Sequence, residues 1–328
     1  MNITILGTGT WGIALARALT IAGNSVVAWS KLPEEIKALR ETYTHKNLPG
    51  MEIPRTVRFT DRMEEAMKDA EVVLIAVPSV FVRNTAAEMK TFLRKDQIVA
   101  CVAKGLEQGS LFTMSEIIED VIGLENPVVA LSGPTHAEEV AKDLPTLIVS
   151  ASKDEKSAGT VQKMFVGSCI RPYTNTDVKG VELCGAIKNI MALACGISNG
   201  LGYGDNTKAA IMTRGIAEMR RVGQAVGCDP ETFAGLAGIG DLIVTATSEH
   251  SRNNRCGRLI GQGVPVDEAI KQIGMVVEGI NALPGALELA HRYQVEMPIT
   301  EAMGEIVIGK KNTKEVVDGL WNRNLRAE

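Results

Sequence analysis

The first half of the chain alternates short apolar runs with helix-forming stretches, and this pattern predicts strands that alternate with helices. The run VVLIAV at 72–77 is apolar throughout and rich in β-branched residues, which is typical of a parallel strand buried on both faces. We therefore predict an α/β fold built on a doubly wound, mostly parallel sheet. The predicted strands cover residues 3–6, 25–29, 72–77, 97–103, 128–131, 147–150 and 170–173.

The pattern changes near Lys179, after which the apolar positions recur with helical spacing and no series of strands continues. A chain of 328 residues is also too long for one ordinary hydrophobic core. We therefore predict two domains, 1–179 with the sheet and 180–328 built of helices alone. The predicted helices of the second domain cover about residues 181–199, 206–226, 230–236, 252–261, 266–273, 280–293, 298–307 and 313–319.

Three glycines stand between the first predicted strand and the first predicted helix, in the sequence GTGTWG at 7–12. Gly7 would allow a tight turn, Gly9 would leave room for a pyrophosphate, and Gly12 would let the helix pack closely on the strand. The backbone N–H groups of such a turn point at the ligand, and the helix dipole favours an anion there. This context predicts a Rossmann-type dinucleotide site, with a turn that serves packing alone as the alternative.

The end of the second predicted strand bears on which dinucleotide binds. Sites selective for NAD commonly carry an Asp or Glu there, which holds the ribose hydroxyls. This chain has Ser30 and Lys31 instead, and a hydroxyl with an ammonium suits a 2′-phosphate. We therefore expect NADP to be accepted, with a preference for it left open, unless Lys31 is only a solvated charge.

Composition and charge exclude several classes of function. The net charge of −4 argues against a nucleic-acid partner. The chain starts with strand-forming residues, so we expect no signal peptide. Lys188, two asparagines and several glycines make the apolar stretch 183–204 a poor membrane span. Six scattered cysteines without a C-x-x-C pair and four histidines without ligand spacing predict reduced thiols and no metal site. We expect a cytoplasmic protein that does not insert into membranes.

Lys188 is the strongest candidate for acid–base chemistry. It is the only charged side chain in 183–204, and helical spacing puts it beside Cys184, Met191 and Ala192. Such apolar surroundings would disfavour the ammonium form, as suits a group that exchanges protons near neutral pH. The alternative is a lysine that extends from a helix edge into water.

Two further stretches carry polar side chains suited to a small phosphorylated substrate. Asp241 lies among glycines and aliphatic residues in GIGDLIVT, where it either caps a helix or orients Lys188 or a substrate hydroxyl. The sequence SRNNR at 251–255 is typical of a helix start, with Ser251 as the cap and Arg252 beside the helix dipole. We expect a phosphate to bind there, and the alternative is a basic surface turn without a ligand.

Together these motifs resemble those of the bacterial NAD(P)-dependent glycerol-3-phosphate dehydrogenases, over nearly the whole chain. The stretches that carry the resemblance are GTGTWG (7–12), AVPS (76–79), AKGLE (103–107), SGPTHAEEV (132–140), AIKN around Lys188, GIGDLIVT (238–245), SRNNR (251–255) and VVEG (276–279). The resemblance implies a homodimeric cytoplasmic enzyme that interconverts dihydroxyacetone phosphate and sn-glycerol 3-phosphate with NAD or NADP, supplying glycerophospholipid synthesis. It also implies that residues 180–328 bind the substrate and form the dimer.

The resemblance assigns roles residue by residue, with Lys188 as the lysine that transfers the proton. The substrate would contact Lys104, Gly133, Thr135, Asp241, Ser251, Arg252 and Asn253. The cofactor would contact Gly7, Gly9, Thr10, Trp11, Gly12, Lys31, Lys104, Ala137, Arg252, Val276 and Glu278. This chain departs from the family's usual pattern at Thr135-His136, where Ser-Phe is common, and at Lys31, where His or Arg is common.

Two other functions remain open from the sequence. A two-domain β-hydroxyacid or 6-phosphogluconate dehydrogenase would share the architecture, but it would need carboxylate-recognising residues in place of SRNNR. A catalytically idle nucleotide sensor is the other alternative, although a sensor has no need of a desolvated lysine.

Overall fold

The computed structural model describes residues 1–324 and separates into two compact units. The first unit comprises Met1–Lys104 and Phe112–Glu182, and the second comprises Gly105–Leu111 and the chain from Leu183 onward. The division therefore falls between Glu182 and Leu183 instead of after residue 179. Residues 105–111 also belong to the second unit, whereas the sequence pattern assigned them to the first.

One sheet forms the centre of the first unit. Its strands within residues 1–324 are β1 (Asn2–Leu6), β2 (Ser25–Trp29), β3 (Arg58–Thr60), β4 (Val72–Ile75), β5 (Ile98–Cys101), β6 (Val128–Ser132), β7 (Thr146–Ala151) and β8 (Ile170–Asn175). Their spatial order is β3-β2-β1-β4-β5-β6-β7-β8, and neighbouring strands run parallel except β6 and β7. Because the order reverses between β1 and β4, the sheet is doubly wound, which confirms the predicted Rossmann-type, mostly parallel architecture.

Successive residues of the central strands supply two cores, one on each face of the sheet. Val72 and Leu74 of β4 pack into one apolar cluster, while Val73 and Ile75 pack into the other. All four side chains are fully buried. This alternation follows from the two-residue period of a strand, and it explains why an uninterrupted apolar run was needed here.

Helices connect the strands of the first unit and cover both faces of its sheet. They are α1 (Thr10–Ile21), α2 (Pro33–Thr42), α3 (Met63–Met67), α4 (Val82–Lys90), α5 (Met114–Ile122), α6 (Ala137–Val140) and α7 (Glu155–Lys163). A short 3₁₀ turn at Ser79–Phe81 precedes α4. Helix α5 begins with a capping box, in which Thr113 and Glu116 each bond the other's backbone N–H.

The second unit contains helices and no strand between Leu183 and residue 324, as predicted. Its helices are α8 (Val178–Gly200), which starts in the first unit, α9 (Asp205–Ala225), α10 (Pro230–Ala234), α11 (Asp241–Thr247), α12 (Arg252–Gly261), α13 (Val266–Ile273), α14 (Glu278–Arg292), α15 (Pro298–Val307) and α16 (Thr313–Trp321). A π-helical turn, Leu236–Gly240, joins α10 to α11.

Helix α8 is unusually apolar for a helix of its length. By length and composition alone it could cross a membrane, but all of its most apolar window is buried inside the protein. A helix that is apolar on every side is typical of the core of a large domain as well as of a membrane span. The burial identifies α8 as a core helix of the described structure.

Several short elements were not predicted from the sequence. Strand β3 has three residues at the edge of the sheet, and α3, α6 and α11 span five, four and seven residues. Elements of two turns or fewer show no full period of apolar positions, so the pattern along the chain does not reveal them. The nine-residue helices α5 and α7 were missed as well.

Candidate active site

The glycine turn after β1 has the backbone geometry of a strand that turns directly into a helix. Gly7 has a φ of +124°, and a Cβ atom there would stand 2.6 Å from the carbonyl oxygen of Ala76. A Cβ at Gly12 would collide with the carbonyl oxygen of Gly7. Glycine is therefore required at both positions, and the chain can bring α1 close against β1 and β4.

The N-terminus of α1 is open on the side where a ligand would approach. Gly9 precedes the helix as its N-cap, and apart from Gly9 and its two chain neighbours no heavy atom of residues 1–324 lies within 4 Å of the position that its Cβ would take. No side chain in this part of the chain caps the helix, so the N–H groups of its first turn, at Thr10 and Trp11, suit an acceptor from outside. A diphosphate supplies both the acceptors and the charge that the helix dipole favours. The turn therefore fits NAD or NADP.

The charged groups after β2 are arranged differently from what the sequence suggested. The side chain of Lys31 is 77% exposed, and its Nζ lies 3.2 Å from a carboxylate oxygen of Glu88. Glu35, in the first turn of α2, directs its carboxylate to the end of β2. Its Oε2 accepts hydrogen bonds from Thr8 Oγ1 at 2.6 Å and Ser30 Oγ at 2.7 Å. A carboxylate therefore lies at this strand end although positions 30 and 31 carry none.

Three of the predicted contacts meet at the carboxyl ends of β5 and β6. Lys104 Nζ donates to the carbonyl oxygen of Gly133 and to Thr135 Oγ1, both at 2.9 Å. Gly133 has a φ of +128°, and a Cβ there would press against Ile148. Ala137 follows as the buried first residue of α6. In doubly wound sheets ligands bind at this edge, so Lys104 supplies a cation where an anionic ligand is expected.

In the second unit, Lys188 is a buried ammonium group with a buried carboxylate partner. Its side chain is 6% exposed, and Nζ lies 2.8 Å from Asp241 Oδ1. Nζ also donates to Thr245 Oγ1 at 2.6 Å, and that hydroxyl donates to the carbonyl oxygen of Asp241 at 2.6 Å. The expectation that apolar surroundings disfavour the ammonium took account of α8 alone. The carboxylate from α11 favours the charged form, so Lys188 is not isolated.

Asp241 reaches Lys188 from the start of a helix that a π-helical turn precedes. It is the first residue of α11, follows the turn Leu236–Gly240, and is 1% exposed. A π turn shifts the following residues around the helix axis, and such turns are frequent at functional sites. Of the two interpretations of this residue from the sequence, the structure favours the one in which its carboxylate orients Lys188.

The SRNNR stretch starts α12, as predicted. Ser251 is its N-cap, and the Ser251 Oγ accepts a hydrogen bond from the Asn254 N–H at 3.2 Å. Arg252 follows as the first helical residue and is half-buried. Its guanidinium makes no hydrogen bond or ion pair with any residue in 1–324. A half-buried cation at a helix N-terminus is a fitting site for an anion such as a phosphate.

The amide of Asn253 connects three helices next to Lys188. Its Nδ2 donates to Asn189 Oδ1 on α8, and its Oδ1 accepts from the Gly279 N–H on α14, both at 2.9 Å. A substrate contact by Asn253 would therefore use the second hydrogen of its Nδ2. The same bond brings the VVEG stretch, with Val276 and Glu278, to the start of α12.

Helices α8 and α12 cross at very short distance, which fixes the start of α12 relative to Lys188. A Cβ at Gly196 of α8 would collide with the carbonyl oxygen of Asn254, and one at Gly257 of α12 would collide with that of Leu193. The crossing leaves no room for a side chain at either glycine. Substitutions there would displace the phosphate-binding candidate Arg252 together with its helix.

Three polar residues of these clusters were not predicted from the sequence. Thr245 follows Asp241 by one helical turn, and Asn189 is adjacent to Lys188, so spacing and adjacency could have identified both. Glu35 carries a weaker signal, because it lies several residues beyond the strand end that it serves. Within residues 1–324 no group of His, Cys, Asp and Glu side chains is arranged to hold a metal ion.

The chain resembles known proteins over its full length. Residues 2–158 match the family model described as NAD-dependent glycerol-3-phosphate dehydrogenase N-terminus, and residues 177–318 match the model of the C-terminus. The chain is 52% identical over 332 residues to glycerol-3-phosphate dehydrogenase (NAD(P)+) 2 of Lactobacillus delbrueckii subsp. bulgaricus, covering 100% of this chain and 98% of that protein. It is 43% identical over 325 residues to the Bacillus subtilis glycerol-3-phosphate dehydrogenase (NAD(P)+), covering 98% and 94%.

A solved structure agrees with these sequence comparisons. The crystal structure of glycerol-3-phosphate dehydrogenase from Coxiella burnetii superposes with a TM-score of 0.94 at 35% sequence identity. The superposition covers 98% of this chain and 99% of that one. Both the sheet-containing part and the helical part therefore have counterparts in that enzyme.

Proposed function

The chain belongs to the NAD-dependent glycerol-3-phosphate dehydrogenase family, and from this we propose that Lys188 and Arg252 serve its reduction of dihydroxyacetone phosphate to sn-glycerol 3-phosphate. The reaction is a reversible transfer of a hydride to the C2 carbonyl carbon, and the bound NADH or NADPH supplies that hydride. The residues of this chain supply the phosphate-binding site and the proton, and they orient both the substrate phosphate and the proton donor.

The proposal rests mainly on the position of Arg252, which we assign as the phosphate-binding residue. Arg252 is half-buried at the N-terminus of α12 and has no protein partner among residues 1–324. A guanidinium can bind a phosphate through two parallel hydrogen bonds, and the helix dipole adds to the attraction. A phosphate, with nearly two negative charges near neutral pH, gains more from this cation and helix dipole than a singly charged carboxylate would.

Lys188 is proposed as the acid that protonates the substrate oxygen. As an ammonium it donates a proton to the oxygen at C2 while the carbonyl becomes an alcohol, and in the reverse direction the neutral amine takes that proton back. Asp241 holds Nζ in place and favours its charged form before the transfer. Thr245 accepts a second hydrogen bond from Nζ, which limits the directions in which the amine can point.

Other residues are proposed as contacts from the family resemblance. Lys104 would contact both ligands, and a cation near the developing alkoxide contributes about 2–4 kcal/mol, by analogy with oxyanion-site donors. The remaining substrate contacts would be Gly133, Thr135, Ser251 and Asn253. The remaining cofactor contacts would be Gly7, Gly9, Thr10, Trp11, Gly12, Lys31, Ala137, Val276 and Glu278.

The test is the oxidation of NADH and NADPH with a panel of carbonyl substrates. We expect turnover with dihydroxyacetone phosphate and none with β-keto acids that lack a phosphate. Arg252→Ala should raise KM for dihydroxyacetone phosphate by about 10- to 100-fold with little change in kcat, because it removes binding that ground and transition states share.

Arg255→Ala is the matched control, since Arg255 lies on the same helix but is exposed. It should leave KM nearly unchanged. A large loss of kcat at unchanged KM in Arg252→Ala would contradict the phosphate role, and turnover with the β-keto acids alone would overturn the proposed substrate.

We also propose, from the family resemblance, a cytoplasmic homodimer that supplies glycerophospholipid synthesis, with the helical unit as the dimerisation and substrate domain. Exposed apolar side chains on that unit support an interface between copies. Trp321 is 80% exposed, and Ile239 and Ile243 are 42% and 47% exposed. Large apolar side chains at a surface are typical of places where another chain packs.

A further inference from the structure

We propose that Glu35 makes this chain select NAD(H) over NADP(H), an inference that rests on the dinucleotide site of the proposed function. The carboxylate of Glu35 would accept hydrogen bonds from the ribose hydroxyls of NAD and repel the 2′-phosphate of NADP. This differs from the expectation drawn from Ser30 and Lys31, which allowed for a preference for NADP.

Glu35 is held in place by two hydroxyl groups from neighbouring parts of the sheet edge. Thr8 lies inside the glycine turn after β1, and Ser30 is the first residue after β2. Both hydroxyls donate to the same atom, Oε2, at 2.6 and 2.7 Å. Both donors are nearly fully buried, at 1% and 6% exposure, so their positions are fixed by the fold.

The second carboxylate oxygen of Glu35 is left for a ligand. Oε1 accepts no hydrogen bond from any residue in 1–324, and the side chain is only partly buried. A ribose presents two adjacent hydroxyl donors, which match an acceptor-only group of this kind. A carboxylate with one oxygen anchored and the other open has the arrangement that recognition of a diol requires.

The position of the carboxylate corresponds to that of the acidic residue in NAD-selective Rossmann folds. In those folds an Asp or Glu at the end of the second strand bonds the ribose 2′-hydroxyl. Here the strand ends in Ser30, and Glu35 reaches the same strand end from the first turn of α2. The hydroxyl of Ser30 thus positions the carboxylate instead of replacing it.

The surrounding charges favour a diol over a phosphate. No lysine or arginine in residues 1–324 forms an ion pair with Glu35. The nearest cation in sequence, Lys31, extends into solvent and pairs with Glu88. Leu32, which follows it, is 62% exposed and carries no charge. A 2′-phosphate at this strand end would therefore face a carboxylate that forms no ion pair with a lysine or arginine of residues 1–324.

The experiment measures dissociation constants of NADH and NADPH for the full-length protein, by isothermal titration calorimetry and by quenching of tryptophan fluorescence. We expect the wild type to bind NADH at least about tenfold more tightly than NADPH, because like charges a few ångströms apart repel strongly in a partly buried site. Glu35→Gln keeps a hydrogen-bond acceptor for Thr8 and Ser30 but removes the charge. It should therefore lower the ratio of the NADPH dissociation constant to the NADH dissociation constant about tenfold, mainly through tighter NADPH binding.

Glu34→Gln is the matched control, because Glu34 is exposed on the same helical turn and its loss changes the net charge equally. It should leave the ratio unchanged. Equal binding of both dinucleotides by the wild type, or an unchanged ratio in Glu35→Gln, would overturn the role of Glu35 while leaving the proposed dehydrogenase intact. Binding of neither dinucleotide would overturn both.

Discussion

The buried ion pair between Lys188 and Asp241 predicts how the free energy of unfolding changes when one or both of its residues are replaced. Its charged atoms are 2.8 Å apart, and the two side chains are 6% and 1% exposed. At that distance the attraction is about 6 kcal/mol with an effective dielectric constant near 20. Desolvation of two ions costs several kcal/mol each, so the net contribution of the intact pair is small. Removing one partner is different, because it leaves a buried charge without its ionic partner and costs roughly 3–5 kcal/mol.

Three variants test this pattern by urea denaturation followed by circular dichroism. Lys188→Met and Asp241→Leu should each lower the free energy of unfolding by roughly 3–5 kcal/mol. The double variant should be more stable than either single variant, since two apolar side chains replace the pair. Thr245 can still donate to the backbone carbonyl oxygen of residue 241 in that variant, so its hydroxyl is not left unsatisfied. Turnover should stay at least about 100-fold below that of the wild type, because the proton donor is absent.

The ion pair between Arg292 and Glu288 provides the control. Its N–O distance is also 2.8 Å, but the side chains are 50% and 42% exposed. Arg292→Met should therefore cost no more than about 1 kcal/mol. If Lys188→Met and Asp241→Leu cost no more than this control, the pair is not desolvated as we infer. Near-normal turnover in Lys188→Met would refute the role of Lys188 as proton donor.

Two further predictions concern pH and assembly. Burial raises the pKa of Glu182 to about 7 from 4.5, while Ser115 donates to its carboxyl through N–H and Oγ. The folded chain thus binds this proton more tightly than the unfolded chain, and the stabilisation present at acidic pH is lost as pH rises through about 7. Glu182→Gln should remove this pH dependence, which amounts to roughly 3 kcal/mol in urea denaturation, and an unchanged stability profile would contradict the assignment. Light scattering should give twice the chain mass of 35.1 kDa, and a monomer mass would rule out the proposed dimer.

The sheet could be predicted from the sequence because its determinants are local. An apolar run such as 72–77 specifies a strand buried on both faces, and the glycines at 7 and 12 are required by contacts made within one turn or with the adjacent strand. The antiparallel placement of β7 could not be predicted, since nothing within a strand records the direction of its neighbour. The membership of residues 105–111 in the second unit likewise depends on contacts with helices far along the chain.

The site was predictable only in part, because each polar group finds its partner in a distant segment. The sequence shows that Lys188 is a charge among apolar residues, but its carboxylate comes from α11 after a π-helical turn. It shows that Ser30 lacks the expected acidic side chain, but the carboxylate of Glu35 arrives from the next helix.

A residue that departs from the expected local pattern, such as a lysine among apolar residues, therefore identifies a functional position. The protonation state or ligand preference at that position depends on the distant segment that supplies its polar partner. The ammonium of Lys188 is favoured or disfavoured according to whether Asp241 is close, and the dinucleotide selected depends on whether Glu35 reaches the strand end. Both compensating carboxylates come from the first turn of the helix that supplies them. Because most helices of this chain carry an acidic residue in their first turn, that position alone does not single out the two partners, and only the folded chain brings each carboxylate to its site.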